Sequence, residues 1–139
     1  MIQIISGTKG SGKSKQLIDI ANEALTKESG VVVFIDDDKR YMFDLKPSVR
    51  FVDAHDYKSV SGYSPETFLA FISGMLAANF DITLVCIDGL MKIANAKLEE
   101  LAKVFEQLNA MSEGHTCNFV IALNAEKAEL PESIQQYCI

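Results

Sequence analysis

The chain has 139 residues, 48% of them hydrophobic and 23% charged, which supports one core of ordinary size and excludes disorder and low-complexity repeats. Thirteen basic against 19 acidic residues leave a net charge of −6, the wrong sign for a protein that lives on nucleic-acid phosphates or an anionic membrane surface. The three cysteines, at 86, 117 and 138, lack the spacing of a disulfide framework or zinc site and read as buried small hydrophobes in a reducing, cytoplasmic compartment.

Ile2-Gln3-Ile4-Ile5 is a short apolar run ending at Ser6-Gly7, a strand and then a turn; no basic region or cleavage site marks it as a secretory signal. From Lys13 to Lys27, the side chains of Leu17, Ile20, Ala21, Ala24 and Leu25 fall on one helical face. Gly30 is expected to close that helix with a positive φ. Val31-Val32-Val33-Phe34-Ile35 is continuously apolar, as a strand covered on both faces reads, and Val49 to Val52 predicts a shorter strand. Ser64-Pro65-Glu66 supplies an N-cap and then proline at the first helical position, opening a helix to about Asn79 that buries Phe68, Leu69, Ile72, Met75 and Leu76. The uncharged stretch Phe68 to Phe80 is too short to span a bilayer.

Ile82 to Ile87 is another continuous apolar run, closed by Asp88-Gly89. A helix from about Ala96 to Ser112 presents Leu98, Leu101, Phe105, Leu108 and Met111 at helical spacing, and Phe119 to Leu123 is a third uncharged β run. Leu130-Pro131-Glu132 opens a last helical turn, and Tyr137-Cys138-Ile139 reads as an edge strand. Strands alternating with helices mean βαβ units. The expectation is one α/β domain over residues 1–139, a three-layer α-β-α sandwich with a mainly parallel sheet.

Chemistry concentrates in Gly7-Thr8-Lys9-Gly10-Ser11-Gly12-Lys13-Ser14, which fits G-x-x-x-x-G-K-[ST], the Walker A pattern, between a strand and a helix. The glycines let the backbone curl so that successive N–H groups point at a polyphosphate. The helix starting there adds unpaired N–H groups and the positive end of its dipole. Lys13 is expected to set a point charge on the β and γ phosphates, and the Ser14 hydroxyl to complete the shell of a Mg²⁺ ion.

On that loop the chain resembles a P-loop NTPase, and the resemblance implies the rest of the site. Ile82 to Asp88 looks like a Walker B strand, whose Asp88 carboxylate holds Mg²⁺ from the ligand side of an open α/β sheet. The helix and strand after it look like the RecA-like branch, where that last strand inserts between the other two and a polar residue at its tip senses the γ-phosphate. Asn124 stands at the matching place, and it also fits a plain strand-ending turn. Many hydrolases of this branch carry glutamate directly after the Walker B aspartate, whereas here Gly89 follows. One source of a replacement base is Asp36-Asp37-Asp38, because RecA-like ATPases sometimes place a catalytic carboxylate at the end of the strand after the first helix; a solvated turn is the alternative. His55 and Asp56 read as solvated loop, and Tyr41 and Phe43 as core rather than base-stacking residues.

In size and pattern the chain is also similar to short P-loop proteins of Gram-positive bacteria, some labelled pilus-retraction ATPases. Retraction ATPases proper are far longer and carry acidic and histidine boxes absent from this sequence, so only nucleotide binding carries over. The expected function is binding of Mg²⁺ and a nucleoside triphosphate, ATP in preference because no N/T-K-x-D guanine motif occurs, with slow or partner-stimulated hydrolysis. Alternatives are a small nucleoside or metabolite kinase and a non-catalytic regulatory or scaffold module. Thymidine kinases begin similarly, yet carry a zinc-bound lid with paired cysteines that this chain lacks. With only two arginines, Arg40 and Arg50, phosphate clamps are sparse, and the resemblance suggests Arg40 supplied across a homo-oligomer interface. Nucleic acid and membrane are not expected partners.

Overall fold

The computed structural model describes residues 1–139. Five parallel strands form one sheet in the order β1-β5-β4-β2-β3: β1 (Ile2–Gly7), β2 (Val31–Asp36), β3 (Arg50–Asp53), β4 (Ile82–Asp88) and β5 (Asn118–Asn124). The continuously apolar runs are the interior strands, and alternate residues of each feed opposite cores. Val33, Ile35, Val85, Ile87, Phe119 and Ile121 face one side, while Val32, Phe34, Leu84, Cys86, Val120 and Ala122 face the other. A run buried on both faces has no polar side to alternate with.

The two cores differ in cover. Helix α1 (Lys13–Lys27) packs Leu17, Ile18, Ala21 and Ala24 on one face, with Leu45 and Val49 beside it. The opposite face takes α2 (Pro65–Ala78), α3 (Leu90–Ala94), α4 (Leu101–His115) and α5 (Glu132–Gln135), which bury Phe68, Ile72, Leu90, Leu101, Phe105 and Ile134 among others. The result is a three-layer α-β-α sandwich. No helix is long and apolar enough to cross a membrane. Cys86 and Cys117 are buried, and all three cysteines are free.

Local chemistry explains the boundaries. Ser64 accepts from the Thr67 N–H while Thr67 Oγ1 accepts from the Ser64 N–H, a capping box in front of Pro65. Three expectations need correction. Gly30 does not close α1 with a positive φ, because the helix already ends at an extended Glu28. Gly30 instead permits close approach: a Cβ there would lie 2.3 Å from the Asp81 carbonyl and 2.4 Å from the Thr83 methyl. The helix expected over Ala96–Ser112 is broken and shifted. Leu90–Ala94 forms α3 first, Asn95 then turns left-handed at φ 53°, and α4 runs to His115 after a 3-10 turn at Leu98–Glu100. The C-terminal edge strand reduces to a single parallel bridge of Cys138 with Ile4.

Candidate functional site

The carboxyl ends of β1, β2, β4 and β5 meet along one edge of the sheet, where ligands of open α/β sheets bind. Insertion of β5 between β1 and β4 pairs Gly7 with Asn124 and Asp88 with Ala122. Ile35 pairs with Ile87, so Asp36 and Asp88 project from neighbouring strand tips.

The loop from Thr8 to Gly12 leaves β1 and enters α1 through Gly12, the N-cap, at φ 88° and ψ 15°; Gly10 has φ 83°. A side chain at either position would strain the backbone. The first turn of α1 starts at Lys13 with no side-chain cap on Gly12, so its backbone N–H groups are free to meet an anion. The Lys13 side chain is buried, and its Nζ donates to the Thr8 carbonyl at 2.5 Å and to Ser11 Oγ at 3.4 Å. The ammonium thus lies folded within the loop it would have to leave for a phosphate.

The three adjacent aspartates have three separate environments. Asp36 is 3% exposed; its carboxyl accepts the Asp37 N–H at 2.7 Å through Oδ1, while Oδ2 is buried without any hydrogen-bond partner. Burial, then the Asp37 carboxyl and the charge of Asp88, push the Asp36 pKa up to about 8. Burial works against ionisation of Asp37 too, but the Lys92 ammonium 2.8 Å away holds it below the ordinary range. Asp38 lies nearer solvent, pairs with Arg40 at 3.2 Å and accepts the Arg40 N–H. Asp88 is raised by burial and by the charges of Asp37 and Asp38, with the Ser14 hydroxyl and the Lys13 ammonium acting in the opposite direction.

These groups line one cavity of about 850 Å³, together with Lys9, Arg40, Tyr41 and Asn124. Asn124 is exposed at its rim. Arg40 reaches the cavity from the same chain and stacks over the Tyr41 ring at 5.7 Å. Tyr41 is half-buried against the α1-side core, but Phe43, expected in the core, is 89% exposed. His55 and Asp56 are exposed, as expected, and both are also tied to neighbours. The His55 ring nitrogen Nδ1 meets the Asp37 carbonyl, and Lys39 bridges Asp53 at 2.7 Å and Asp56 at 3.0 Å.

The donor set suits Mg²⁺. The orphaned Asp36 Oδ2, the Asp88 carboxylate and the Ser14 hydroxyl are all hard oxygen donors on residues that line the cavity. Sequence reasoning passed over Lys92. No spacing signals it, because its partner Asp37 sits at the tip of β2, in a segment far from α3 along the chain.

No family model matches this chain, and no curated protein matches it. Among solved structures it is similar to the flagellar accessory protein FlaH from Methanocaldococcus jannaschii, with a TM-score of 0.53 at 13% identity over 97% of this chain. This chain spans 65% of the length of FlaH. At that identity the likeness is one of fold, and the fold is RecA-like.

Proposed function

We propose that the chain binds a nucleoside triphosphate with Mg²⁺, ATP in preference, and hydrolyses it slowly. The observation that carries this reading is the Gly7–Ser14 loop at a strand–helix junction, with the Asp88 carboxylate two strands away and the Ser14 hydroxyl acting on it. Backbone N–H groups of the loop and the first turn of α1 would take the phosphates, and Lys13 would swing from the Thr8 carbonyl onto them. Ser14 and Asp88 would hold Mg²⁺. The ion supplies charge neutralisation on the phosphate oxygens.

Gly89 follows Asp88 where many hydrolases of this branch place a glutamate, so a water-orienting base would come from Asp36, Asp37 or Asp38. Among them Asp36 is the one no cation holds, since Asp37 is paired with Lys92 and Asp38 with Arg40; to act as the base it would first have to give up the proton that burial favours. One feature favours a second reading, a small-molecule kinase. The cavity continues past the loop to Arg40, Tyr41 and Asp44, beyond the end of the phosphate loop, where an acceptor would fit.

The deciding experiment is thermal unfolding with Mg²⁺ and ATP, ADP, GTP or no nucleotide, beside Lys13→Ala. A ligand at a hundred times its dissociation constant adds roughly 2.7 kcal/mol, or several degrees in a domain of this size. A shift that Lys13→Ala abolishes is expected. No shift with any nucleotide overturns the reading, and phosphorylated product from a nucleoside panel moves it to the kinase.

A further inference from the structure

Beside the large cavity lies a second one of about 230 Å³, built where β3 and β4 end. Its polar rim carries His55, Lys58, Ser61, Lys92 and Asn95, and no carboxylate lines it. In a chain of net charge −6 that is a local reversal of sign. The nearby acids are already engaged: Asp37 by Lys92, and Asp53 and Asp56 by Lys39, with Asp53 also 3.8 Å from the His55 ring. His55 Nδ1 faces the Asp37 carbonyl, which leaves Nε2 as its remaining polar atom.

The rim is held in shape. Gly62, at φ 81°, donates its N–H to the Ser59 carbonyl at 2.9 Å, and Ser59 Oγ donates to the Gly62 carbonyl at 3.0 Å, closing the turn that carries Lys58 and Ser61. Tyr63 Oη donates to the Ala54 carbonyl at 2.8 Å and ties that turn to the end of β3. Lys92 lines both cavities, so a ligand in the small one would lie one side chain from the acidic cluster.

We propose that this cavity binds a compact oxyanion, a small phosphate ester or carboxylate, as a second ligand beside the nucleotide site. Lys58 supplies the charge, Lys92, already paired with Asp37 at 2.8 Å, adds a remaining N–H donor, and Ser61 and Asn95 supply neutral hydrogen bonds that orient the ligand. The site stands apart from the glycine-rich loop and does not depend on nucleotide binding.

The test is calorimetric titration of the full chain with inorganic phosphate and with succinate at constant ionic strength, in wild type, Lys13→Ala, Lys58→Ala and Ser61→Ala. The expected result is binding that Lys13→Ala leaves unchanged and that Lys58→Ala weakens about tenfold or more, with a smaller loss in Ser61→Ala. Lys58 and Ser61 are exposed, so both variants should fold. Binding of phosphate alone assigns the cavity to phosphate esters; binding of both assigns it to oxyanions of either kind. The proposal is overturned if neither anion binds. It is equally overturned if Lys13→Ala removes the binding and Lys58→Ala does not, an outcome that would leave the nucleotide reading intact.

Discussion

Asp36 is a carboxyl group held where its charge is costly: nearly buried, one oxygen without a partner, and Asp88 beside it. Its folded pKa near 8 lies above the ordinary 3.8, so the folded state keeps the proton more tightly than the unfolded chain does. The stability from the neutral form is present in full below the unfolded value and is lost as pH rises through about 8. Asp37 acts in the opposite sense, losing its Lys92 contribution as pH falls. Asp36→Asn, which cannot ionise, should therefore flatten the decline in stability across pH 5 to 8 by up to about 1.4 kcal/mol per pH unit. Urea midpoints of both proteins at several pH values without divalent ions check this; parallel profiles would remove the buried-carboxyl account.

At the same scale Arg40 lines the large cavity from its own chain, 68% exposed and paired with Asp38. Arg40→Ala is expected to lower turnover about tenfold or more while leaving nucleotide affinity intact, because an arginine acting on transition-state charge contributes to rate more than to binding. Unchanged turnover would leave Arg40 as a surface residue. Phe43 stands with Val60 and Phe80 among the large apolar side chains left in solvent, and nothing in the structure explains its exposure.

Among the elements, α2 and the turn at Gly30 make separable claims. Ser64→Ala removes one half of a capping box on an exposed helix start, at a cost of about 1 kcal/mol. A fall of roughly 4 °C in unfolding temperature is expected, with any nucleotide-induced shift untouched, since α2 packs on the sheet face opposite α1. Gly30→Ala should cost about 1–3 kcal/mol, because its Cβ would run into the Asp81 backbone and not merely a movable side chain. A neutral result in scanning calorimetry would mean that the β2–β4 connection relaxes freely. Helix α4 shows why its start was misread. Leu98 sits at helical spacing from Leu101 and Phe105, but Asn95 in a left-handed conformation and the Glu100 carboxylate accepting the Lys97 N–H reset the chain before the helix begins.

For the whole molecule, the sheet order governs where chemistry is possible. Putting β5 between β1 and β4 sets the Asp88 tip apart from the loop by one strand, and puts Asp36 beside it by pairing β2 with β4. The unequal helix cover puts the larger core opposite α1, with Phe105 at its centre and stacked on Tyr137 of the C-terminal tail. Phe105→Ala should cost about 3–5 kcal/mol and lower the urea midpoint more than any surface substitution above. A small effect would mean that the tail and α4 close the void.

The sequence alone determined the layers and the loop. Short continuous apolar runs rich in β-branched residues and closed by turns read as doubly covered strands, where the longer Phe68–Phe80 stretch reads as helix, and G-x-x-x-x-G-K-S between a strand and a helix needs only local backbone geometry. Those features are local, and local spacing records them. The tertiary structure alone decided which of Asp36, Asp37 and Asp38 is buried, because adjacent residues on a strand end differ only by which neighbours cover them. It alone brought Lys92 onto Asp37 and His55 onto the Asp37 carbonyl, contacts between segments far apart in the chain that no spacing encodes. Electrostatic environment is a property of packing, and packing appears only when the strands are set side by side.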